Sequence, residues 1–259
     1  MLTSNFHTHT ALCRHAKGEP KEYVECAIKS GLKKLGFADH APYIFKSGYR
    51  SGIRMSLSDT ENYVKTVLDL KNEYRKDIKI YLGFEMEYFP RYFDETFKFL
   101  SGFSPEYFIL AQHFTKNEYD GVYSGRPVQT REDLKDYVDQ VIEGLKTGLF
   151  SCLAHPDLIT FDDKDYYLMQ MKRICEISKQ KDIPLEFNLL GFATKRQYPS
   201  KCFFKLANEC GNTIIYGVDA HEPKALEECQ QNAKSAEEFF AEFNLKRTEN
   251  IKLLSGEIV

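Results

Sequence analysis

No apolar run in this sequence approaches the roughly 18–20 residues of a membrane-spanning helix. The opening MLTSNFHTHT is polar and lacks the apolar core of a secretory signal. The seven cysteines (Cys13, Cys26, Cys152, Cys175, Cys202, Cys210 and Cys229) are odd in number, widely spread and never paired as C-x-x-C. They are expected to be reduced packing residues of a cytoplasmic protein. An excess of charge of one sign is also missing. Lys and Arg number 35 against 38 Asp and Glu, a net charge of −3. No field for a polyanion follows, so no nucleic-acid partner and no membrane partner is expected. Nor is there a Pro/Gly/Ser-rich linker, a low-complexity run or an internal repeat, which predicts one domain over residues 1–259.

What is present is a globular composition, 42% hydrophobic and 28% charged. Seven short apolar runs are expected as strands: 2–7, 34–38, 78–84, 107–111, 150–154, 183–187 and 213–218. Between them lie stretches with helical spacing. EPKEYVECAIKSGL places Val24, Ala27, Ile28 and Leu32 on one side. LSDTENYVKTVLDLKNEY opens with a capping-box pattern at Ser58 and Glu61. REDLKDYVDQVIEGLKTGL, DKDYYLMQMKRICEISKQK, SKCFFKLANECGN and LEECQQNAKSAEEFFAEF repeat the theme, and Gly31, Gly148 and Gly211 are expected to end helices. The stretches 41–57 and 114–130 are expected as long loops. Alternating strands and helices mean a parallel sheet covered by helices. Seven such units in this length predict a single closed or nearly closed α/β barrel of the TIM type.

The stretch FHTHTALCRH holds three of the seven histidines. The others extend the pattern. His40 follows the second predicted strand, His113 the fourth, His155 the fifth and His221 the seventh. Glu85 and Glu87 follow the third, Asn188 the sixth and Asp219 the seventh. Every histidine thus lies at or just beyond the C-terminal end of a predicted strand. In a parallel barrel those ends share one face, where active sites are built. His7, His9, His15, His40, His113, His155 and His221 with Glu85 and Asp219 make nine candidate metal ligands. One catalytic zinc takes three protein ligands. Nine suit two or three ions, and imidazole with carboxylate favours Zn, Mn or Fe. Clustered divalent ions favour hydrolysis of phosphate esters, because they polarise phosphoryl oxygens and lower the pKa of water toward ~7.

The order HTH, His15, GFADHAP (36–42), GFEMEYFP (83–90), His113, His155 and GVDAH (217–221) resembles the motif series of the PHP (polymerase and histidinol phosphatase) family. The linking text CRHAKGEPKEYVECAIKSGLKKLGFADHAP, RMSLSDTENYVKTVLDLKNEY and IKIYLGFEMEYFP is similar to its histidinol-phosphate phosphatase branch. The resemblance covers nearly the whole chain. It implies a distorted (β/α)7 barrel with three divalent ions at the C-terminal ends of the strands. By motif, one ion falls to His7, His9, Glu85 and Asp219. A second falls to Glu85, as a bridge, with His113 and His155, and a third to His15, His40 and His221. Asp39 and Glu87 are expected to orient ligands. The implied activity is hydrolysis of L-histidinol phosphate, a small-molecule phosphate ester, to L-histidinol and phosphate in histidine biosynthesis.

The chain departs from the family pattern around the substrate. Ala193 stands where an arginine is usual, and Leu158, Ile159 and Thr160 replace basic residues after His155. Gln112 stands where a small residue is usual. Arg196, Lys195 and Arg54 are the expected phosphate-binding cations, with Arg50 and Arg126 behind them. Glu85, Asp219, His221 and Asp157 are the expected catalytic residues. Asp157 or the Asp162–Asp163 pair could supply the proton to the leaving group. These departures leave two rivals: a PHP phosphoesterase for a nucleotide or short oligonucleotide, and a non-enzymatic metal-binding barrel.

Overall fold

Among the described residues, eight parallel strands stand side by side in chain order, each hydrogen-bonded to the next. The computed structural model describes residues 1–239, 241 and 243–259. The strands are β1 (Ser4–Asn5), β2 (Lys34–His40), β3 (Lys79–Met86), β4 (Tyr107–Leu110), β5 (Cys152–Leu153), β6 (Leu185–Asn188), β7 (Thr213–Gly217) and β8 (Lys246–Thr248). The first seven coincide with the expected apolar runs. The sheet curls until the chain beyond β1 meets the chain beyond β7. Thr8 bridges Ala220 in parallel, the His9 N–H donates to Ala220 O at 2.9 Å, and the Ala220 N–H donates to His7 O at 3.2 Å.

The helices form mostly where apolar spacing and end signals agree. They are α1 (Pro20–Ser30), α2 (Thr60–Glu73), α3 (Phe93–Ser101), α4 (Arg131–Lys146), α5 (Lys164–Lys181), α6 (Leu189–Ala193), α7 (Lys201–Glu209) and α8 (Pro223–Phe239). Thr130 and Asp163 cap α4 and α5, accepting from the N–H groups of Asp133 and Tyr166. Gly31, Gly148 and Gly211 sit beyond helices at φ of 90°, 71° and 72°. The expected capping box at Ser58 and Glu61 is displaced by two residues toward the N-terminus. Ser56 and Asp59 form it, around the short 3-10 turn that precedes α2. Phe240 and Glu242, at the end of the last helical stretch, lie outside the described residues.

Three elements carry no clear sequence signal. Helices α3 and α6 are short, and β8 is polar. Strand β8 exists because the edge of β7 offers unpaired backbone groups, which residues 246–248 satisfy in parallel.

The core has two parts. Between the sheet and the helices lie Phe37, Phe84, Phe108 and Phe187 with the apolar helix faces. Inside the curled sheet, Phe6, Tyr81, Tyr107, Ile109, Cys152 and Ile215 pack with Ile251 and Leu253 of the C-terminal tail. The tail closes the end where the strands begin: Ser151 Oγ donates to Lys252 O at 2.5 Å and the Leu254 N–H to Glu106 O at 2.8 Å. With that end filled, the other end is free to carry polar chemistry.

Candidate metal centre

Strand register sets the heights of the site residues. In the β2–β3 ladder His40 pairs with Glu85, and in the β6–β7 ladder Asn188 pairs with Gly217. His7 and His9 follow β1, His113 follows β4, His155 follows β5, and Asp219 and His221 follow β7. All seven imidazoles therefore meet at one end of the sheet. His7 Nε2 and His9 Nε2 are 3.1 Å apart, and His15 Nε2 and His221 Nε2 are 3.0 Å apart. Glu85 sits among them. Its Oε1 lies 3.4 Å from His7 Nε2, 3.2 Å from His155 Nε2 and 3.7 Å from His113 Nε2, and its Oε2 lies 2.7 Å from His40 Nδ1. Asp219 Oδ1 lies within 3.4 Å of ring nitrogens of His7, His9 and His221.

These donors fit metal ions. His7, His9 and Asp219 form one group whose ligand atoms lie within 4.8 Å of one another. His7, Glu85 and His155 form another, and His9, His40 and His221 a third. His40 Nδ1, Glu85 Oε2 and His155 Nδ1 are buried yet make no hydrogen bond. Buried polar groups are rarely left so; a shared cation would satisfy the facing pair of His40 and Glu85. Cys13 is close by, but burial pushes its thiol up to about 12, which keeps it protonated.

Charge at the site follows from this packing. Burial works against ionised Glu85 and Asp219, yet the surrounding histidines hold both well below the usual carboxylate range. Burial and the neighbouring His9 keep His221 down at about 3, and burial holds His40 well below the ordinary imidazole value. Both rings therefore stay neutral, the state in which a nitrogen can ligate a metal. His155 and Asp219 adopt φ of 26° and 51°. For non-glycine residues such backbone costs about 1–3 kcal/mol each and concentrates at functional sites.

Behind the histidines stand carboxylates that aim them. Asp39 Oδ1 lies 3.4 Å from His9 Nδ1 and accepts from the His40 N–H at 2.7 Å. Glu87 lies 3.0 Å from His113 Nδ1. Against the effect of burial, Arg54 and then His113 hold the Glu87 carboxyl down at about 2. A further carboxylate, Glu186 of β6, was not singled out from the sequence. It contacts His7 Nδ1 at 2.7 Å. A signal was available, because Glu186 interrupts the apolar run IPLEF and shares the strand face of Asn188, two residues on.

The substrate residues divide. Arg196 lines the cavity of about 400 Å³ over the histidines, with Ile53, Phe114, Tyr123, Leu158 and Tyr198. Its Nη1 donates to Tyr198 Oη at 2.9 Å. Lys195, at φ of 55°, is exposed and is not part of that lining. The expectation for Arg54 is corrected: it is 1% exposed and does not line the cavity over the histidines. It donates to both oxygens of Glu87, at 2.8 and 3.0 Å, to Glu118 at 2.7 Å and to Ala41 O at 3.0 Å. Four of its five N–H donors are engaged inside the protein. Asp157, expected among the catalytic residues, keeps its buried Oδ1 without a hydrogen-bond partner. It is buried outside the cavity lining and accepts from the Ser200 N–H at 2.6 Å, while burial pushes it up to about 7. Asp163 caps α5 and pairs with Arg131 at 2.5 Å, and Asp162 does not line the cavity either. Gln112 is structural: it accepts from the Tyr88 N–H and donates to Phe114 O.

Residues 5–189 match the PHP domain family. The chain belongs to the PHP domain family. It is 28% identical over 226 residues to the probable histidinol-phosphatase of Deinococcus radiodurans, covering 84% of this chain and 85% of that protein. It is 30% identical over 118 residues to the histidinol-phosphatase of Bacillus subtilis, covering 43% and 44%. The histidinol phosphate phosphatase of Lactococcus lactis, solved with zinc, L-histidinol and phosphate, shares the fold. Its TM-score is 0.72 at 18% identity, over 99% of this chain and 98% of that one. The seven-strand barrel expected for a PHP domain is thus present with an eighth strand added, and among the described residues no helix is long and apolar enough to cross a membrane.

Proposed function

We propose that this PHP protein is a metal-dependent phosphomonoesterase that hydrolyses L-histidinol phosphate to L-histidinol and phosphate. The observation that carries the reading is the convergence of seven imidazoles, Glu85 and Asp219 beneath a cavity whose wall carries Arg196. The names of the relatives support the same substrate. The nine residues would hold three divalent ions, zinc, manganese or iron. His7, His9 and Asp219 serve one, Glu85 with His113 and His155 a second, and His15, His40 and His221 a third, with Glu85 also facing the first.

Bound there, such ions would neutralise phosphoryl oxygens and lower the pKa of a water. The chain supplies the rest. Glu85 and Asp219 bring two negative charges to the ions in a buried place, where charge interactions are strong. Asp39 and Glu87 fix the ring orientations of His9 and His113. Arg196 binds the phosphate from the opposite wall by charge-assisted hydrogen bonds. Ile53, Phe114, Tyr123 and Leu158 give the leaving group an apolar wall. A cavity of about 400 Å³ lies at the small end of ligand pockets, which run to about 1,000 Å³. It suits a small ester better than an oligonucleotide.

The test is kcat/KM for L-histidinol phosphate against AMP, a dinucleotide and p-nitrophenyl phosphate, with elemental analysis of the same preparation. L-histidinol phosphate is expected to lead, with close to three ions per chain. A tenfold preference for a nucleotide would overturn the substrate. At most one ion under saturating Zn, Mn or Fe would overturn the three-ion centre, and no hydrolysis of any ester would leave a non-enzymatic metal-binding barrel.

A further inference from the structure

Glu186 is 1% exposed and lies at the middle of β6, beneath the histidines. Both of its oxygens are engaged. Oε1 faces His7 Nδ1 at 2.7 Å. Oε2 accepts from the His155 backbone N–H at 3.0 Å and from Asn188 Nδ2 at 3.0 Å. Asn188 Nδ2 in turn donates to Asp219 Oδ2 at 3.1 Å. One carboxylate thus touches His7, His155 and, through Asn188, Asp219.

Space is kept for it. A Cβ on Gly217, the β7 neighbour of Asn188 in the ladder, would overlap Glu186 Oε1. No other residue type at 217 leaves this carboxylate where it is. The peptide N–H that Oε2 receives belongs to His155, whose φ of 26° is costly for a side-chain-bearing residue. The contact stabilises that unusual backbone.

We propose that Glu186 is a positioning residue of the metal centre, which sets the His7 ring to offer Nε2 and pins the His155 backbone. With Nδ1–H donating to Glu186, the nitrogen that His7 would give up to a metal is Nε2. That atom is 3.1 Å from His9 Nε2 and 3.4 Å from Glu85 and Asp219. A ligating histidine whose other nitrogen donates to a carboxylate is fixed in tautomer and made more basic. The inference rests on the proposed metal centre and adds a residue to it that is not itself a ligand.

Glu186→Gln is the informative substitution, because its shape is nearly conserved and its chemistry is not. The carboxylate receives three donors: His7 Nδ1–H, the His155 N–H and Asn188 Nδ2–H. A glutamine has one oxygen, so its NH₂ must face a donor. Either His7 is driven to the wrong tautomer or the His155 N–H loses its acceptor. Removing such a partner typically costs about 10–100-fold in metal affinity.

Metal-stripped parent and Glu186→Gln proteins should be titrated with zinc against a chromophoric chelator, with their circular dichroism compared. The expected result is native secondary structure with zinc affinity at one or more sites reduced 10- to 100-fold. Zinc affinities within threefold of the parent would overturn the inference. If the variant does not fold, ring ¹⁵N spectra of the zinc-loaded parent decide: His7 should carry its proton on Nδ1, and a proton on Nε2 would overturn the assignment. A parent that binds no zinc takes down the metal centre as well. Zinc binding by the parent, unchanged in the variant, takes down the role of Glu186 alone.

Discussion

Arg54 and Arg196 show how differently two arginines of one site can act. Arg54 donates to Glu87, Glu118 and a main-chain carbonyl, with Tyr43 against its guanidinium at 5.3 Å. Glu118 also accepts from Tyr49 Oη and Ser51 Oγ, so the pair ties the loop over residues 49–54 to His113 through Glu87. Removing one partner of a buried ion network leaves the others uncompensated, at about 3–5 kcal/mol. Arg54→Ala should therefore lower the free energy of unfolding by about that amount, as measured by urea titration. A loss under 1 kcal/mol would show that the network is solvated. Arg196→Ala should behave in the opposite way. A charge-assisted hydrogen bond is worth about 1.5–3 kcal/mol, or roughly 10- to 100-fold in affinity. KM for the phosphate ester should rise by that factor with stability and metal content unchanged, while Lys195→Ala should leave KM near the parent value. Equal effects from both alanine variants would count against the geometry of the α6–α7 loop.

At the scale of elements, stability and chemistry occupy opposite ends of the strands. The tail after β8 brings Ile251 and Leu253 against Phe6, Tyr107 and Ile215. Tyr107 lies across that floor, and its hydroxyl donates to Phe6 O at 2.7 Å. The histidines stand at the other end. Ile251→Ala should cost about 2–5 kcal/mol, the usual range for emptying a buried aliphatic site. It should leave KM for the phosphate ester and the metal content as they are. A change in KM would mean that the floor and the metal face are mechanically coupled.

For the molecule as a whole, the nine ligands come from segments separated by more than 200 residues, from His7 to His221. Ions held by them bind the folded chain and not the unfolded one. Zinc at a thousandfold excess over a site's Kd adds about 4 kcal/mol per site. At about 2–4 °C per kcal/mol for a chain of this size, chelation should lower Tm by roughly 8 °C or more, and zinc should restore it. A Tm that does not respond to chelation would mean that these residues do not hold metal.

Strand order, helix positions and the ring of histidines were legible in the sequence, because each rests on local signals. Period-two and period-3.6 apolar patterns mark strands and helices whatever they pack against. A parallel barrel then places every residue just beyond a strand on one face, so His7, His40, Glu85, His113, His155 and Asp219 could be grouped without coordinates. The family motifs made the same selection. What the pattern could not assign depends on which way a side chain turns and what meets it there. Arg54 and Asp157 carry the right chemistry at the right chain position, yet each is turned into the protein, toward Glu118 in one case and Ser200 in the other. Glu186 reads in sequence as one acid in an apolar strand. Its importance comes from His7, 179 residues away, and from the missing Cβ of Gly217. Strand β8 likewise exists only because β7 leaves an edge to pair. Local pattern determines which elements form, since it is a property of neighbouring residues. Partnership between distant polar groups is decided by packing, because burial makes an unpaired charge costly and so dictates where each one must end.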